Sequence, residues 1–444
     1  MTVLAGRRVL VAGLGVAGRS AVAALRDVGA DVSVTSDGPV DGGFPAALLG
    51  PLDRVPDGVD LVVASPGYRP THPLLADAAA RGVPVWGELE LAWQLRGDGG
   101  AAPWLALTGT NGKTTTVHML ESILRTAGSN AVAVGNVGVP VIDAVRDPAL
   151  DVLAVEVSSQ QLHFAPSLHP AAGAVLNLAP DHLDWHGSFE AYAAAKFRLL
   201  DADVAIGNLD DPLVASALPA GAVGFTLGEP AEGQLGVLDG RLVSRAFGDD
   251  RAVLAAVGEI RPAGAHNVAN ALAAAALARA HGVGPATVGE GLRSFIPDPH
   301  RNQSVLVRDG VEWVDDSKAT NPHAASASLN SYERIVWVAG GRLKGVDVDP
   351  LVAAVADRLA GAVLLGEDRR LIETSLARHA PEIPVIVVDS TDDGAMTEVV
   401  RAAARIAGAG STVLLAPAGA SYDMFADYGA RGDAFAAAAR EVGR

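Results

Sequence analysis

Short apolar runs recur along the chain, each followed by a turn rich in glycine or polar residues and then by a segment with helical spacing. Arg8-Val-Leu-Val-Ala-Gly-Leu-Gly-Val-Ala-Gly18 sets the pattern. A buried strand meets Gly13-x-Gly15-x-x-Gly18, a helix runs to about Val28, and a second strand spans Asp31–Thr35. This is a Rossmann-type βαβ start, with a helix N-terminus able to hold a nucleotide phosphate. Asp37 stands near the end of the second strand, where dinucleotide binders place an acid on the ribose, so this stretch alone also reads as an NAD site. After Asp60–Ala64 come Ser65-Pro-Gly67, a helix over Pro73–Arg81, a strand over Val83–Trp86 and a helix over Glu88–Leu95. The unit therefore closes within about 95 residues, short for a two-halved dinucleotide domain. A nucleotide diphosphate on the first helix fits it better.

Arg96–Pro103 has the glycine and proline content of a linker. Beyond it, Trp104–Leu107, Ala131–Val134, Val152–Val157 and Gly173–Leu178 read as strands separated by helices, one of them Thr115–Ala127. Continuous apolar strands alternating with helices predict a parallel sheet covered on both faces. Leu227–Arg251 is short-period and glycine-rich, an antiparallel appendage, and Ala265–Ala280 is an alanine-rich helix. Phe295–His300 marks a second boundary. Strands then follow at Ser304–Val307, Glu312–Asp315, Ile335–Ala339, Gly361–Leu365, Val385–Val388 and Thr412–Leu415. Helices alternate with them at Leu351–Ala360, Leu371–Arg378, Ala395–Ala407 and from about Asp423. The expected fold is α/β: three consecutive α/β domains. They are a Rossmann-like domain at 1–97, a central P-loop ATPase-like parallel sheet at 98–297 and a Rossmann-like domain at 298–444. Ligands are expected where such domains meet.

Composition narrows the chemistry. At 444 residues the chain exceeds one core, and 49% hydrophobic content makes it globular. No stretch of 18 uncharged apolar residues occurs, and the N-terminus lacks the order of a signal peptide. With no cysteine, disulfides and thiolate chemistry are excluded, which fits a cytoplasmic enzyme. A net charge of −17 argues against nucleic acid and anionic membrane as partners. An anionic substrate must then be met by locally placed Arg, Lys and helix N-termini.

Ala106-Leu-Thr-Gly-Thr-Asn-Gly-Lys-Thr-Thr-Thr116 is the densest chemical signal. Strand, glycine turn, lysine and hydroxyls at a helix start form a phosphate cradle. Gly109 and Gly112 make it the shortened G-x-x-G-K-T, since Leu stands at 107. Lys113 supplies a charge to the phosphates and Thr114 a hydroxyl to Mg²⁺. Glu156 ends a strand, a natural Mg²⁺ ligand beside Thr114, and Asn136 ends another, suited to orienting a polar substrate. His182 and His186, four apart, mimic a zinc pair, but the nearby carboxylates suit Mg²⁺ better. By its helix alone, Lys196 reads as a snorkelling surface residue. Asn267 and Asn270 share a helical face, where an amide reads an adenine edge or caps the helix. Arg301 is placed to clamp a phosphate, and Val314–His323 packs carboxylates, an amine and hydroxyls at a strand end. Lys344 sits in a loop after another strand, and Ser421 is a candidate N-cap of the last helix.

Together these motifs resemble the Mur ligases, the ATP-dependent amide-forming enzymes of peptidoglycan precursor synthesis, over residues 7 to 440. The loop Gly109-Thr-Asn-Gly-Lys-Thr114 is common to that family and to folylpolyglutamate synthetases. Asp316-Ser-Lys-Ala-Thr-Asn321, Gly340-Gly-Arg-Leu-Lys344 and Pro417–Phe425 resemble the members that add D-glutamate to UDP-N-acetylmuramoyl-L-alanine (UDP-MurNAc-L-Ala). The resemblance implies a cytoplasmic monomer that uses ATP and two Mg²⁺ and forms an acyl phosphate. It implies that Gly109, Thr110, Asn111, Gly112, Lys113, Thr114 and Thr115 cradle the ATP phosphates, with Asn267, Arg301, Asp316 and Lys318 framing the nucleotide. Thr114, Glu156, His182 and a carbamylated Lys196 would hold the metals, which replaces the surface reading of Lys196. Lys113, His182 and Lys196 would be the catalytic set. Asn136 and Ser158 would touch the muramoyl substrate, with Gly13, Gly15, Val16, Ala17, Gly18 and Ser65 on its uridine diphosphate. Thr320, Lys344, Ser421, Tyr422 and Tyr428 would receive D-glutamate. The chain departs from relatives at Tyr428, where Phe also occurs, at Val16-Ala17, which lacks a Thr hydroxyl, and at Ser36-Asp-Gly38, which lacks an Arg near uracil. The competing readings are another Mur ligase or a folylpolyglutamate synthetase, an NAD-dependent oxidoreductase, and a non-catalytic nucleotide-binding regulator.

Overall fold

The computed structural model describes residues 4–37, 47–97, 101–391 and 394–442. Gly38 and residues 98–100 of the expected linker lie outside them. In the first sheet are β1 (Arg8–Ala12), β2 (Asp31–Thr35), β3 (Ala47–Leu49), β4 (Leu61–Ala64) and β5 (Val85–Trp86), in the order β3-β2-β1-β4-β5, all parallel. Helices α1 (Val16–Asp27), α2 (Pro73–Ala80) and α3 (Glu88–Leu95) connect them. The register Ala12↔Ala64 sets the loop after β1 against the loop after β4. The fit requires glycine: at Gly13 (φ 97°) a Cβ would lie 2.8 Å from Ser65 Cβ, and at Gly18 it would lie 2.0 Å from the Gly13 carbonyl.

The second sheet holds β6 (Trp104–Thr108), β7 (Ala131–Gly135), β8 (Val152–Glu156), β9 (Ala172–Val175), β10 (Val204–Asn208), β11 (Val223–Phe225), β12 (Gln234–Leu238), β13 (Arg241–Ser244) and β14 (Ala252–Ala256). Its order is β14-β13-β12-β11-β10-β9-β6-β8-β7. The expected antiparallel appendage is β12–β14, and it extends the main sheet, because β12 pairs in parallel with β11. The helices are α4 (Lys113–Thr126), α5 (Val141–Ala144), α6 (Ser159–His163), α7 (Leu183–His186), α8 (Phe189–Phe197), α9 (Pro212–Ala217), α10 (Ala265–Ala280) and α11 (Pro285–Ser294). Small side chains let α10 sink into the protein, and Ala271 through Ala278 are all buried.

The first two sheets share one hydrophobic cluster, which runs from Val9 and Leu25 through Leu89 and Leu91 to Val155 and Leu199. Two buried carboxylates on α3 reinforce it. Glu88 accepts the Val141 N–H at 2.9 Å, and Glu90 accepts the Ser167 N–H at 2.9 Å. Burial pushes Glu88 up to about 7 against the pull of the Val141 and Gln161 hydrogen bonds.

The third sheet comprises β15 (Gln303–Arg308), β16 (Val311–Asp315), β17 (Ile335–Gly340), β18 (Leu359–Leu365), β19 (Val385–Val387) and β20 (Thr412–Ala418), ordered β15-β16-β20-β17-β18-β19. Only the β15–β16 pair is antiparallel. Helices α12 (Pro322–Leu329), α13 (Asp349–Val355), α14 (Arg369–His379), α15 (Ala395–Ile406) and α16 (Tyr428–Val442) belong to it. The expected helix over Leu351–Ala360 stops at Val355, because its apolar continuation already belongs to β18. By its internal contacts the chain forms two compact units. One holds the first two sheets, through Ile260, with Ala269–Phe295, and the other holds Arg261–Val268 and the residues from Ile296 onward.

Candidate active site

Parallel strands present their carboxyl ends at one edge, and the sequence places its polar residues there. In the second sheet β8 ends on Glu156, and β9, β6 and β7 run on within two residues of their ends to Asn177, Gly109 and Asn136 respectively. The phosphate loop is held from β9: Asn177 accepts the Asn111 N–H at 2.9 Å and donates to the Asn111 carbonyl at 3.0 Å. Gly112 caps α4 in the left-handed region (φ 83°), so Lys113 is already helical. A Cβ at Gly112 would lie 2.3 Å from Asn270 Oδ1, which explains why the α10 amide needs a glycine opposite it. Thr114 and Thr115 continue the first turn of α4.

Two lysines converge on this loop. Lys113 Nζ donates to the carbonyls of Gly109 at 2.8 Å and Thr110 at 3.0 Å. Lys196 Nζ donates to the same Gly109 carbonyl at 2.8 Å and to Thr108 Oγ1 at 3.2 Å. Lys196 is only 2% exposed, which overturns the surface reading of its helix. Burial first, and the Lys113 charge second, hold its ammonium well below the usual lysine range. A neutral amine in this position is a nucleophile.

Glu156 is buried, and one of its oxygens, Oε1, accepts Asn136 Nδ2–H at 2.9 Å. The other, Oε2, is buried with no protein hydrogen-bond partner. An orphaned buried carboxylate oxygen costs several kcal/mol unless a cation or a proton meets it. On the strand paired with β6, which leads into the phosphate loop, that carboxylate fits a hard cation such as Mg²⁺. Among the described residues no three His, Cys, Asp or Glu side chains cluster as a ready-made metal centre. The zinc-like pair does not form: His186 Nε2 faces Ser159 Oγ at 2.9 Å, whereas His182, at φ 50°, precedes α7 with Nε2 3.6 Å from Asp181.

A cavity of about 540 Å³ opens at this edge, and its lining includes Lys113, Asn136, Ser158, His182 and Lys196. Ser158 also caps α6 in a capping box with Gln161. Tyr192 and Arg69, both unremarked in the sequence, line it too. Tyr192 lies 2.9 Å from Thr110 Oγ1 and places its ring 4.9 Å from Lys196 Nζ. A tyrosine four residues before a lysine on a helix is the signal that identifies it. At the first sheet, Gly15 caps α1, and Val16 stands 74% exposed beside Ala17 on the open turn that Gly13, Gly18 and Ser65 shape. Asp37 Oδ2 lies 3.3 Å from His72 Nε2.

The third sheet gathers a second set. Its neighbours β16, β20 and β17 carry at their ends the loops 316–321, 419–425 and 341–345. Arg342 and Ala420 exchange backbone hydrogen bonds of 2.9 Å, joining the loops of Lys344 and Ser421. Lys344 is exposed at φ 55° and Tyr422 is 69% exposed. Lys318 Nζ stands 3.9 Å over the Tyr428 ring, and the Thr320 N–H bonds to the Lys318 carbonyl. Asp316 accepts the Asn302 N–H at 3.1 Å and is pushed up to about 6 by burial, against the opposing Arg301 charge. Arg301 pairs with Asp298 at 3.5 Å. Asn267 is buried and donates to the Ala263 carbonyl at 3.2 Å and approaches His266 Nε2 at 2.9 Å.

Ser421 does not cap the last helix. It is buried in a turn where its carbonyl accepts the Met424 and Phe425 N–H groups, and α16 begins at Tyr428. The sequence reading also missed the support beneath these loops. Buried Arg431 donates to Ser317 Oγ, the Ser317 carbonyl and the Gly419 carbonyl at 2.9–3.0 Å. His300 Nδ1 lies 2.7 Å from Asp315 Oδ2, against Gly432, where a Cβ would collide with both. Of the expected residues, those of the first two sheets and those of the third thus form two sets, one in each compact unit.

Residues 107–278 match the family model of the Mur ligase middle domain, and residues 300–419 match that of the Mur ligase glutamate ligase domain. A UDP-N-acetylmuramoylalanine–D-glutamate ligase of Streptomyces coelicolor is 55% identical, with 99% of this chain and 98% of that protein covered. One from Mycolicibacterium smegmatis is 50% identical over 98% and 97%. Among solved structures, a pseudomurein peptide ligase type C from Methanothermus fervidus shares the fold with a TM-score of 0.63 at 18% identity, covering 98% of this chain and 100% of that one. A UDP-N-acetylmuramate-alanine ligase from Thermotoga maritima does so at 0.59 and 18%, covering 98% and 99%.

Proposed function

The chain belongs to the Mur ligase family, and from that premise we propose that it joins D-glutamate to UDP-N-acetylmuramoyl-L-alanine, consuming ATP. It is an ATP-dependent, amide-forming ligase of peptidoglycan precursor synthesis. The observation that carries the reading in the structure is the meeting, at one sheet edge, of the phosphate loop, the orphaned Glu156 oxygen and the buried Lys196 amine.

A carboxylate is a poor electrophile, so ATP first converts the substrate's terminal carboxylate to an acyl phosphate. Lys113 neutralises charge on the transferring phosphoryl group, and the backbone N–H groups of Gly109–Thr115 orient it. The substrate carboxylate is the nucleophile, bond formation to the γ-phosphorus accompanies loss of ADP, and Asn136 and Ser158 hold the alanyl end in line. The D-glutamate amine then attacks the acyl carbon, and phosphate departs. Thr114, Glu156, His182 and a carbamylated Lys196 would hold Mg²⁺, two ions in all, which supply charge neutralisation when bound. Burial, which lowers the proton affinity of Lys196, supports that modification: the deprotonated amine would add to CO₂, lose a proton and become an anionic oxygen donor in place of a buried ammonium.

In this reading the first sheet, within residues 1–97, takes the uridine diphosphate on Gly13, Gly15–Gly18 and Ser65. The second, within 98–297, takes ATP, and the third, within 298–444, takes D-glutamate on Thr320, Lys344, Ser421, Tyr422 and Tyr428, and Asn267, Arg301, Asp316 and Lys318 are assigned to ATP binding. No helix of the described residues is long and apolar enough to cross a membrane, and we assign the enzyme to the cytoplasm as a monomer. ADP release by the purified chain, measured with UDP-MurNAc-L-Ala and a panel of amino acids, tests the function. D-glutamate is expected to support turnover; activity with L-alanine, L-lysine or diaminopimelate in its place would redirect the reading to another branch of the family.

A further inference from the structure

The phosphate cradle of the first sheet and the phosphate loop of the second belong to one compact unit, and Arg69 of the first sheet lines the cavity that reaches the second. Arg69 follows Ser65-Pro-Gly67 in the loop after β4. That loop packs on the Gly13 turn, where a Cβ at Gly13 would strike Ser65 and approach Tyr68. It is pinned locally: the Tyr68 N–H bonds to the Ser65 carbonyl at 3.0 Å, and the His72 N–H bonds to the Arg69 carbonyl at 2.9 Å. The Tyr68 and His72 rings lie 4.8 Å apart. Arg69 itself is exposed and, with Pro66 and Gly67, contributes the first sheet's wall of the 540 Å³ cavity that reaches Lys113 and Lys196.

The charge pattern gives this position a task. The chain carries net −17, and Asp181 lines the same cavity. Lys113 is anchored on the phosphate loop at the reacting end, and Lys196 is held on the same Gly109 carbonyl and on Thr108. A diphosphate that starts on the α1 N-terminus and runs toward that cavity passes Arg69. A guanidinium matches two phosphate oxygens in a fork, which a backbone turn alone does not.

We propose that Arg69 grips the diphosphate of the UDP-linked substrate where it leaves the α1 turn, and so fixes how far the alanyl carboxylate reaches toward Lys113. This rests on the ligase reading above. Steady-state kinetics of the full chain carrying Arg69→Ala or Arg69→Lys tests it, with each substrate varied in turn and UDP used as a competitive inhibitor. For Arg69→Ala, KM for UDP-MurNAc-L-Ala and Ki for UDP should rise together by about tenfold or more, the loss expected for one charge-assisted contact. KM for ATP and for D-glutamate should stay within about twofold of the parent, and Arg69→Lys should recover part of the loss. An unchanged Ki for UDP overturns the proposal, whatever happens to KM, and so does a parallel rise in all three KM values. If the parent enzyme fails to turn over with D-glutamate, the ligase reading fails; if it turns over and Arg69→Ala binds UDP as tightly, only this inference does.

Discussion

Lys196 shows what one residue's surroundings decide. Its sequence context, an alanine-rich helix, gives no hint of burial, and only the folded chain sets its amine on the Gly109 carbonyl beside Lys113. Burial first, and the neighbouring Lys113 charge second, lower the proton affinity of Lys196. Lys196→Ala should lower D-glutamate-dependent ADP release by at least about a hundredfold, the scale of losing a metal-supporting ligand. Acetate or formate should restore part of it by occupying the vacated carboxylate position. A fully active Ala variant would remove the carbamate from the reading. Glu88 poses the reverse problem, a carboxylate whose proton the fold retains up to about pH 7. Its folded value lies above its unfolded one, so its contribution is fully present below about pH 4.5 and declines as pH rises to about 7 and beyond, by up to about 3 kcal/mol. Glu88→Gln should therefore flatten the pH dependence of Tm between about pH 5 and 8 and leave the variant at least as stable as the parent at pH 8. A parent-like slope in the variant would assign the dependence elsewhere.

At the scale of an element, α4 separates what the chain writes locally from what it does not. The strand, the shortened glycine loop and the helix after it are legible in order, because turn chemistry and apolar periodicity act over a few residues. The helix start is two residues earlier than periodicity places it, since the left-handed Gly112 lets Lys113 join the first turn. Ser421 is the opposite case: a hydroxyl near a helix start reads as a cap, but a buried turn intervenes and the helix waits for Tyr428. Asn177 and Arg431 were illegible for a simpler reason, since each acts on loops that lie far away along the chain. The two ends of α4 give a paired test. Gly128 closes the helix at φ 87° with open space where a Cβ would stand, so Gly128→Ala should cost only the left-handed conformation, about 1 kcal/mol. Gly112→Ala adds a collision with Asn270 and should cost more, with KM for ATP rising as the loop shifts. Equal Tm losses and an unchanged KM for ATP in both variants would mean that the Asn270 contact has no such consequence.

Across the whole molecule, the alternation of strands and helices made three α/β sheets readable, but not how they share cores. Sharing depends on which apolar faces meet, and Leu89 and Leu91 of α3 belong to one cluster with Leu153 and Val155 of the second sheet. The carboxylates of Glu88 and Glu90 complete that junction from positions that look, in sequence, like an ordinary acidic first turn. The consequence is thermodynamic: sheets joined through one core should unfold together, whereas a unit with its own cores unfolds by itself. The third sheet has separate clusters on its two faces, around Trp337 and around Phe435. Calorimetry of the full chain should then show two transitions, the larger from the unit that holds the first two sheets. UDP should raise only that larger transition, by mass action on the folded unit. Replacing Glu88 and Glu90 together by Ala removes buried acceptors from the Val141 and Ser167 N–H groups and should split the larger transition in two. A single transition in the parent, or three, would show that the cores visible in the fold do not set the cooperative units.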